Sequence, residues 1–544
     1  MKIAGLWSGH DCSYAVLENG KPLIHDELER FNREKETPGD AFEVMEKNYK
    51  GIDDIKHFVT CFPISKSKKY ENLMKKIKKI IKENEGEFYC VGHHQAHAAN
   101  AFFSSNLNDA VILTLDGGGI EDGNNFNSAS SVWYGSENKI KPLKVFHTSE
   151  INIGGLWTRV TRYIFNLQNG WPRGCQAGSV MAMAAFGDHT KYLQDFRKML
   201  TDDKEIASHK PHNQPVGANV GTDPEHPYLH KYRLIADSSE QAKFDLAASL
   251  QFATEELIQN LLKLIFNQFP NKNLCLAGGV MLNCVAVGKI KKWFPFIENV
   301  FVTPTPHDGG LPIGAAQFIW HQKLNNPRIK WDDNFKPYLG KTYNKKEVLS
   351  AIENANKKLT IQEEKSTSEI IDLLANQKIV SVFGGGSESG RRALGNRSIL
   401  ADPRSEKMKD LINVKVKHRQ WYRPFAPSIL KESVPEWFER DDDSPYMNVV
   451  LDFKDEVKDK VPAVVHKDGT ARLQTVTEND NKWYYHFLKK WEEKSGVPII
   501  LNTSFNDREP ICETPEHAIN CFLGTDIDFL YFYDHNILLS KKNS

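Results

Sequence analysis

Two histidines four residues apart, His93 and His97, lie in the run YCVGHHQAHAANAFF. The apolar stretch from Phe88 to Val91 reads as a strand ending at Gly92, and the alanine-rich run from Gln95 to Phe103 favours a helix. An i, i+4 pair near the start of a helix puts both imidazoles on one face, a spacing that suits a divalent metal. With 19 histidines in 544 residues such a pair also arises by chance, so the spacing needs support. Support comes from the strand VILTL, which delivers Asp116 at its C-terminal end ahead of Gly117, Gly118 and Gly119, glycines that let backbone N–H groups approach an anion closely. A second strand end, in VFVTPTPHDGGLPIGAA, offers Asp308 in the same setting. Two His and two Asp make a four-donor set of mixed nitrogen and oxygen. The competing reading is histidines satisfied by hydrogen bonds and aspartates that cap turns. His226 and His230 are also four apart, but Pro227 between them and a loop-like context without a partner acid argue against a second such site.

Further groups fit anionic or polar ligands. The strand NLCLAGG ends on Gly278 and Gly279, followed by MLNC, where Asn283 is able to hydrogen-bond sugar hydroxyls. From Ile379, IVSVFGGGSESGRRALGNRSILADPR runs from a strand into a glycine loop and the cluster Arg391, Arg392 and Arg397, with Ser398 beside it. It is not a P-loop, because Arg-Arg follows Gly390, and it lacks the GxGxxG spacing. Downstream, KVKHRQWYRPFAP supplies Lys415, Lys417, His418, Arg419 and Arg423. Arginine forks bind phosphate or carboxylate in pairs of hydrogen bonds, so the pattern suggests a triphosphate or acyl-phosphate pocket, with a solvated basic face as the alternative. The buried-strand pattern VPIILNTSFN adds Asn502, Thr503, Ser504 and Asn506, uncharged groups fit to orient a polar substrate.

The elements that must position these residues show a repeat. Residues 2 to 35 read as a three-strand meander with Gly9, His10 and Asp11 in its first turn, and the pattern recurs from Ala110. Duplicated halves facing a nucleotide cleft describe the actin-like α/β architecture. Polar, Pro-bearing sequence from Leu324 to Tyr343 marks a boundary, giving expected domains of 1–330 and 340–544. Between the two meanders, SKSKKYENLMKKIKKIIKENEG carries eight lysines from Lys66 to Lys82 on an amphipathic helix pattern, read as a solvated face or as a phosphate-backbone contact surface. Thr201 to Arg233 reads as an insertion loop, and Gly174 to Gly187 as a glycine-bounded apolar helix. Lys plus Arg equals Asp plus Glu at 70 each, so net charge selects no partner. The eight cysteines form no CxxC, which suits reduced thiols and a cytoplasmic protein. No apolar run approaches the roughly 20 residues of a membrane span, and MKIAGLW reads as a strand start rather than a secretion signal.

The segments GHDCSYAVL, HHQAHAANAFF, LTLDGGG, GSVMAMAAFG, LAGGVMLNC, HDGGLPIGAA, RRALGNRSILADPR, VKHRQWYRPFAPSIL and LNTSFNDREPI together resemble the O-carbamoyltransferases of the nodulation and antibiotic-tailoring type, among them the tobramycin and cephamycin enzymes. The matches run from Gly9 to Ile511 in the family's order. The resemblance implies an N-terminal duplicated RNase H-like domain similar to the tRNA threonylcarbamoyl transferases, and a C-terminal α/β domain similar to the threonylcarbamoyl-adenylate synthase. It further implies that carbamoyl phosphate and ATP give carbamoyl-adenylate, whose carbamoyl group passes to an alcohol. By the same resemblance His93, His97, Asp116 and Asp308 hold a divalent metal, Fe2+ or another ion, and His10 acts as general base toward the acceptor or as hydrogen-bond donor to the carbamoyl oxygen. Arg397, Lys417, Arg419 and Ser504 are expected to serve adenylate formation. The acceptor is a hydroxyl on a small natural product or, as in some phage relatives, a hydroxymethylated pyrimidine of DNA; a homodimer is a further option and no membrane partner is expected. Two departures stand out: Ser179 where the family has the Lys of GKVM, and Arg391 where it has Pro before Arg392. An actin-like sugar kinase and a non-enzymatic ATP-binding scaffold are the competing functions; neither requires the metal set or the basic C-terminal region.

Overall fold

A computed structural model describes residues 1–62, 68–167, 175–201, 229–355 and 358–542. It divides into two compact units, Met1–Trp331 and Asp332–Ser544. Lys66, most of the Thr201–Arg233 stretch, His226 and Gly174 lie outside the described residues. Among the described residues no helix is long and apolar enough to cross a membrane.

In the first unit, β1 (Lys2–Trp7), β2 (Ser13–Glu18), β3 (Lys21–Glu27), β4 (Ile55–Cys61) and β5 (Phe88–Val91) form a sheet of order β3-β2-β1-β4-β5. The first three strands are antiparallel, while β4 and β5 run parallel to β1. A second sheet repeats the plan with β6 (Asp109–Ile120), β7 (Asn127–Ser136), β8 (Lys139–His147), β9 (Asn273–Ala277) and β10 (Asn299–Val302), in the order β10-β9-β6-β7-β8. Again a meander leads into two parallel strands. This is the duplicated RNase H-like α/β topology expected from the recurring meander. A tight meander needs only hairpins, whereas each parallel strand requires a crossover, and helices supply it.

Four helices frame the candidate residues: α1 (His93–Phe103), α2 (Glu240–Gln268), α3 (Cys284–Trp293) and α4 (Leu311–Phe318). Helix α1 starts directly after Gly92, two residues earlier than its alanine-rich run suggests, so both histidines are helical. Its Ala98, Ala99, Phe102 and Phe103 join Ile112, Trp133 and Cys275 in one apolar core. Glycine is required where α4 packs. A Cβ on Gly314 would stand 2.0 Å from the carbonyl oxygen of Ala96 in α1, and one on Gly5 of β1 would stand 2.0 Å from that of Pro312. A buried polar network accompanies this contact. Asn100 donates to the Thr305 carbonyl at 3.1 Å and accepts from Thr303 and Ser104, and Gln317 of α4 donates to the Ser104 hydroxyl.

One expectation is corrected. Strand β6 does not end before the glycines but continues to Ile120, pairing Gly119 with Ser128, and its register shifts between Leu115 and Gly119. Asp116, Gly117 and Gly118 therefore form a bulge inside a strand, with Gly118 at φ +143°. The extra residues re-aim the Asp116 side chain without ending the ladder.

The second unit is built on a nine-stranded mixed sheet of β11 (Leu359–Gln362), β12 (Val380–Phe383), β13 (Arg397–Ala401), β14 (Ala426–Leu430), β15 (Val449–Asp452), β16 (Thr470–Val476), β17 (Ile499–Ser504), β18 (Phe529–Phe532) and β19 (Ile537–Lys541). Their order is β11-β19-β18-β12-β13-β17-β14-β16-β15. Every residue of β12, β13 and β14 is buried, as continuous apolar runs demand of strands covered on both faces. Helices α5 (Lys482–Ser495) and α6 (Pro515–Gly524) flank β17 in the chain.

The α1–α4 approach yields a stability prediction. Gly314→Val should destabilise the first unit by about 3 kcal/mol or more through overpacking against backbone. Gly178→Ala, at a helical position with nothing within 4 Å, should be neutral or stabilising. Thermal unfolding of both variants checks the contrast, and equal losses would refute it.

Candidate functional site

The first turn of α1 and the loop before α4 bring four donors together. His93, His97, Asp116 and Asp308 each offer an atom within 4.8 Å of the others. His97 Nε2 lies 2.9 Å from Asp116 Oδ2 and 3.3 Å from Asp308 Oδ1, and His93 Nε2 lies 3.6 and 3.4 Å from the same oxygens. These contacts are close but poorly aligned. Among the described residues, both ring nitrogens of both histidines and Asp116 Oδ2 are buried without a well-aligned hydrogen-bond partner. Buried polar atoms are normally satisfied, so a convergent set of unsatisfied nitrogen and carboxylate donors is what a bound cation would resolve. The residues present thus fit a divalent metal.

The electrostatics follow from the crowding. Burial opposes the charged form of His93, but the charges and close contacts of Asp308 and Asp116 together outweigh it and raise the imidazole pKa well above normal. For His97 the burial cost is likewise overcome, here by close contacts with Asp116 and Asp308 together, and its pKa is raised. Burial also works against the Asp308 carboxylate, yet His93 and His10 hold it well below the usual range. Two positive rings and two negative carboxylates offset one another, the arrangement that lets four titratable groups share an interior.

The surrounding glycines allow the cluster to pack closely against backbone. A Cβ on Gly119 would stand 2.1 Å from the His93 ring, one on Gly278 (φ +93°) 2.0 Å from the Leu115 carbonyl oxygen, and one on Gly279 3.3 Å from Asp116 Oδ1. Gly117 donates its N–H to Asp116 Oδ1 at 2.6 Å, which fixes one carboxylate oxygen and turns the other toward the histidines. Gly117, Gly118, Gly278 and Gly279 therefore all lie about Asp116. His10 joins the cluster through Asp308, with Nε2 at 3.2 Å from Oδ2, while its Nδ1 faces Asp11 at 3.1 Å. Its side chain is 46% exposed, so it is the member of the group that faces outward. Desolvation in the cleft opposes its charge, but Asp308 and Asp11 raise its pKa to about 10. Asn283 is used otherwise: its amide caps α3 through Ala286 N–H and exchanges hydrogen bonds with Gln251.

Two residues that motif reading did not single out complete this part. Glu121 accepts the His94 N–H at 2.7 Å, serving the helix start that Gly92 has no side chain to cap. His94 itself is satisfied by Thr114 and the Ser128 carbonyl, and burial lowers its pKa to about 3, so it stays neutral and structural.

In the second unit, Lys417, Ser504 and Asn506 meet. The Lys417 ammonium, 3% exposed, donates to the Ser504 carbonyl at 2.8 Å, the Asn506 carbonyl at 2.7 Å and Asn506 Oδ1 at 2.5 Å. Ser504 Oγ lies 3.3 Å from it. Arg419 and Arg423 belong to a second cationic group with Arg472, Lys409 and His466. Burial, then Arg423 and Arg472, hold the Arg419 pKa well below normal; burial and Arg472 bring Arg423 down to about 10. His466 falls to about 4 through burial and the nearby Arg472 and Lys409 cations. Arg419 is partly engaged within the protein, donating from Nε to Asn413 Oδ1 at 2.7 Å and from Nη2 to the Pro424 carbonyl at 3.2 Å. Arg472 was missed by motif reading; a charged residue inside the otherwise buried strand TARLQTV was the available signal.

Arg397 behaves differently from an open anion ligand. It is wholly buried, its guanidinium donates to the carbonyls of Gly384, Gly385 and Asn396, and it stacks 3.6 Å over Phe383. What it does directly is hold the glycine loop. Glu388 stiffens the same loop by accepting the N–H groups of Leu394, Asn396 and Arg397. Ser398 accepts from Gly395 N–H, and Asn502 links Ala393, Ser428 and Gln474 in the core. Arg392 is half-buried.

Comparison with known proteins bears on the family of the chain. The family described as Carbamoyltransferase N-terminus matches residues 65–317, and that described as Carbamoyltransferase C-terminus matches residues 371–541. An uncharacterized protein of Synechocystis sp. is 33% identical over 82% of this chain and 75% of its own length. Nodulation protein NolO of Bradyrhizobium diazoefficiens is 34% identical over 81% of this chain and 77% of its own. The solved structure of full-length HypF in its phosphate- and nucleotide-bound form overlaps at 14% identity and a TM-score of 0.33, covering 60% of this chain and 56% of that one, too slight an overlap to argue from. With both family segments in order and relatives matched over most of their length, the chain belongs to the carbamoyltransferase family.

Proposed function

We propose that the chain is an ATP-dependent O-carbamoyltransferase. The second unit would form carbamoyl-adenylate from carbamoyl phosphate, ATP and one water: phosphate is released as the carbamoyl ester is cleaved to carbamate, and pyrophosphate as the carbamate oxygen attacks the α-phosphorus of ATP. The first unit would pass the carbamoyl group to an acceptor hydroxyl, releasing AMP. The observation that carries this reading is the buried, unsatisfied His93/His97/Asp116/Asp308 cluster in a chain of this family. A divalent ion on those four donors, Fe2+ in the first instance, would supply Lewis-acid polarisation of a phosphate oxygen. The protein's own groups do the rest. His10 faces carboxylates with both ring nitrogens, which favours the protonated ring and speaks against a general-base role; donation to the carbamoyl oxygen would require one ring N–H to leave its carboxylate partner. The Asp116–Gly118 bulge and Gly278–Gly279 leave backbone rather than side chains beside Asp116, which would allow a phosphate to approach it closely. In the second unit, Lys417 is locked by backbone carbonyls, so its charge is preorganised, and Arg419, Arg423 and Arg472 offer forks to the phosphate groups. The sugar-kinase and scaffold alternatives account for neither the four-donor cluster nor the family membership.

The acceptor on this reading is the hydroxyl of a small molecule. A polymeric acceptor, hydroxymethylated DNA, is a second reading, favoured by one feature. On the helix Lys68–Glu83, Leu73, Ile77 and Ile80 are buried while Lys75, Lys76, Lys78, Lys79 and Lys82 are exposed. Only part of that charge is paired, Lys76 with Glu46 and Lys79 with Glu83.

Three outcomes test these assignments. His97→Ala or Asp308→Ala should strip bound divalent metal, measured by elemental analysis, and lower carbamate formation by about a hundred-fold or more while pyrophosphate release persists. Full metal content and activity in both variants would remove the metal site. Lys417→Ala should abolish carbamoyl-phosphate-dependent pyrophosphate release, with preformed carbamoyl-adenylate restoring transfer; failure of that rescue would place Lys417 in the second step. Finally, mass spectrometry of a panel of polyhydroxyl small molecules, hydroxymethylcytosine DNA and its mononucleotide identifies the acceptor by one added carbamoyl group. If DNA is labelled, activity should fall steeply with salt, and replacing Lys75, Lys78, Lys79 and Lys82 by Glu should flatten that dependence; no labelling of DNA discards the polymer reading.

A further inference from the structure

A donor set of different chemistry lies in the second unit. Glu509, Cys512 and Cys521 each present one ligand atom, two sulfurs and a carboxylate oxygen, all within 4.8 Å of one another. Cys512 is fully buried, Cys521 is 7% exposed and Glu509 is half-buried. The two sulfurs are within hydrogen-bond reach of each other. They come from two elements, since Glu509 and Cys512 lie on the segment after β17 while Cys521 projects from α6. That segment is held in place: Cys512 N–H donates to the Phe505 carbonyl at 2.9 Å, and Asn506 Nδ2 donates to the Glu509 carbonyl at 2.6 Å. The Glu509 carboxylate is oriented by the N–H groups of Asp507 and Arg508, at 3.3 and 3.1 Å.

We propose that Glu509, Cys512 and Cys521 bind a thiophilic divalent cation, with Zn2+ the ion that fits the set. Two thiolates select a softer ion than the His/His/Asp/Asp cluster, which contains no sulfur, so the two sites differ in preference. The geometry is close to what is needed. With Zn–S near 2.3 Å, tetrahedral ligation puts the two sulfurs about 3.8 Å apart, so donors within 4.8 Å need to close by about 1 Å at most. Three protein donors leave the fourth position for water or a small ligand. A disulfide would explain the two thiols but not the oriented carboxylate beside them. The bound ion would tie the Phe505–Cys512 segment, which carries the Asn506 acceptors of Lys417, to α6. The inference does not depend on the proposed reaction, because binding alone tests it.

Cd2+ serves as a spectroscopic stand-in for Zn2+, since its thiolate complexes absorb in the ultraviolet and its histidine and carboxylate complexes do not. Titrating the reduced, full-length chain with Cd2+ should raise this absorption to a single equivalent, and Zn2+ should displace it. The double variant His93→Ala, His97→Ala should leave the band unchanged, whereas Cys521→Ser should abolish it. Glu509→Gln, a conservative change at a half-buried position, should keep the band but weaken Cd2+ binding about ten-fold or more. The proposal is overturned by absence of the band, by a band that survives Cys521→Ser and so belongs to another thiol, by an unaltered affinity in Glu509→Gln, or by a Cys512–Cys521 disulfide in the chain isolated without reductant.

Discussion

The contact of α4 with α1 at Gly314 is the constraint on which the four-donor cluster rests. The helices meet with no side chain between them, and any Cβ at Gly314 would enter the carbonyl of Ala96, one residue before His97. Asp308 sits just before α4 and the histidines occupy the first turns of α1, so the closeness of the two helices sets the closeness of the donors. Backbone contact is less forgiving than side-chain packing, because no rotamer change relieves it. The Asn100 network fixes the remaining freedom. Its amide accepts from two hydroxyls and donates to a carbonyl across the same interface, which gives the packed helices one satisfied arrangement rather than several.

Much of this was legible in the chain itself. The repeated meander predicts two copies of one sheet, because three short alternating strands followed by a glycine-ended apolar strand leave few other ways to bury their faces. The His and Asp positions were readable for a related reason: the histidines stand where one helix begins and Asp308 just before another, while Asp116 stands beside glycines that mark a departure from the regular strand. Less legible were the choices that depend on distant partners. Asn283 reads as a free amide until Gln251 of α2 is beside it, and Arg397 reads as a phosphate fork until the loop carbonyls close around it. The bulge at Asp116–Gly118 was hidden because glycines signal departure from regular structure without saying whether a strand stops or merely kinks. Glu121 and Arg472 carried signals of a different kind, an acid downstream of a glycine run and a cation inside an apolar strand, whose meaning appears only with the partner.

The two units solve the problem of buried charge in different ways. In the first, ionised rings and carboxylates face one another. In the second, ions are surrounded largely by peptide dipoles: Glu388 collects three N–H groups, Arg397 three carbonyls, and Lys417 two carbonyls with a side-chain oxygen. Peptide partners are fixed by the backbone, so groups held in this way are already oriented when a ligand arrives. The Arg419–Arg423–Arg472 recess stands apart as a region of mutual repulsion.

The bulge and the Gly314 contact together bear on how the first unit folds. Asp308 reaches its partners roughly two hundred residues after Asp116; Asp116 lies on the interior strand β6, whereas Asp308 follows β10, the edge strand added last by a parallel crossover, a topology whose loop-closure entropy is met only near the end of folding. The histidine helix is complete early in the chain, yet its ligand set exists only once both copies of the repeat have formed and docked. A cation that needs all four donors would thus be captured by the finished unit and by no shorter nascent chain, which makes its retention a report that synthesis and folding of the whole unit have been completed.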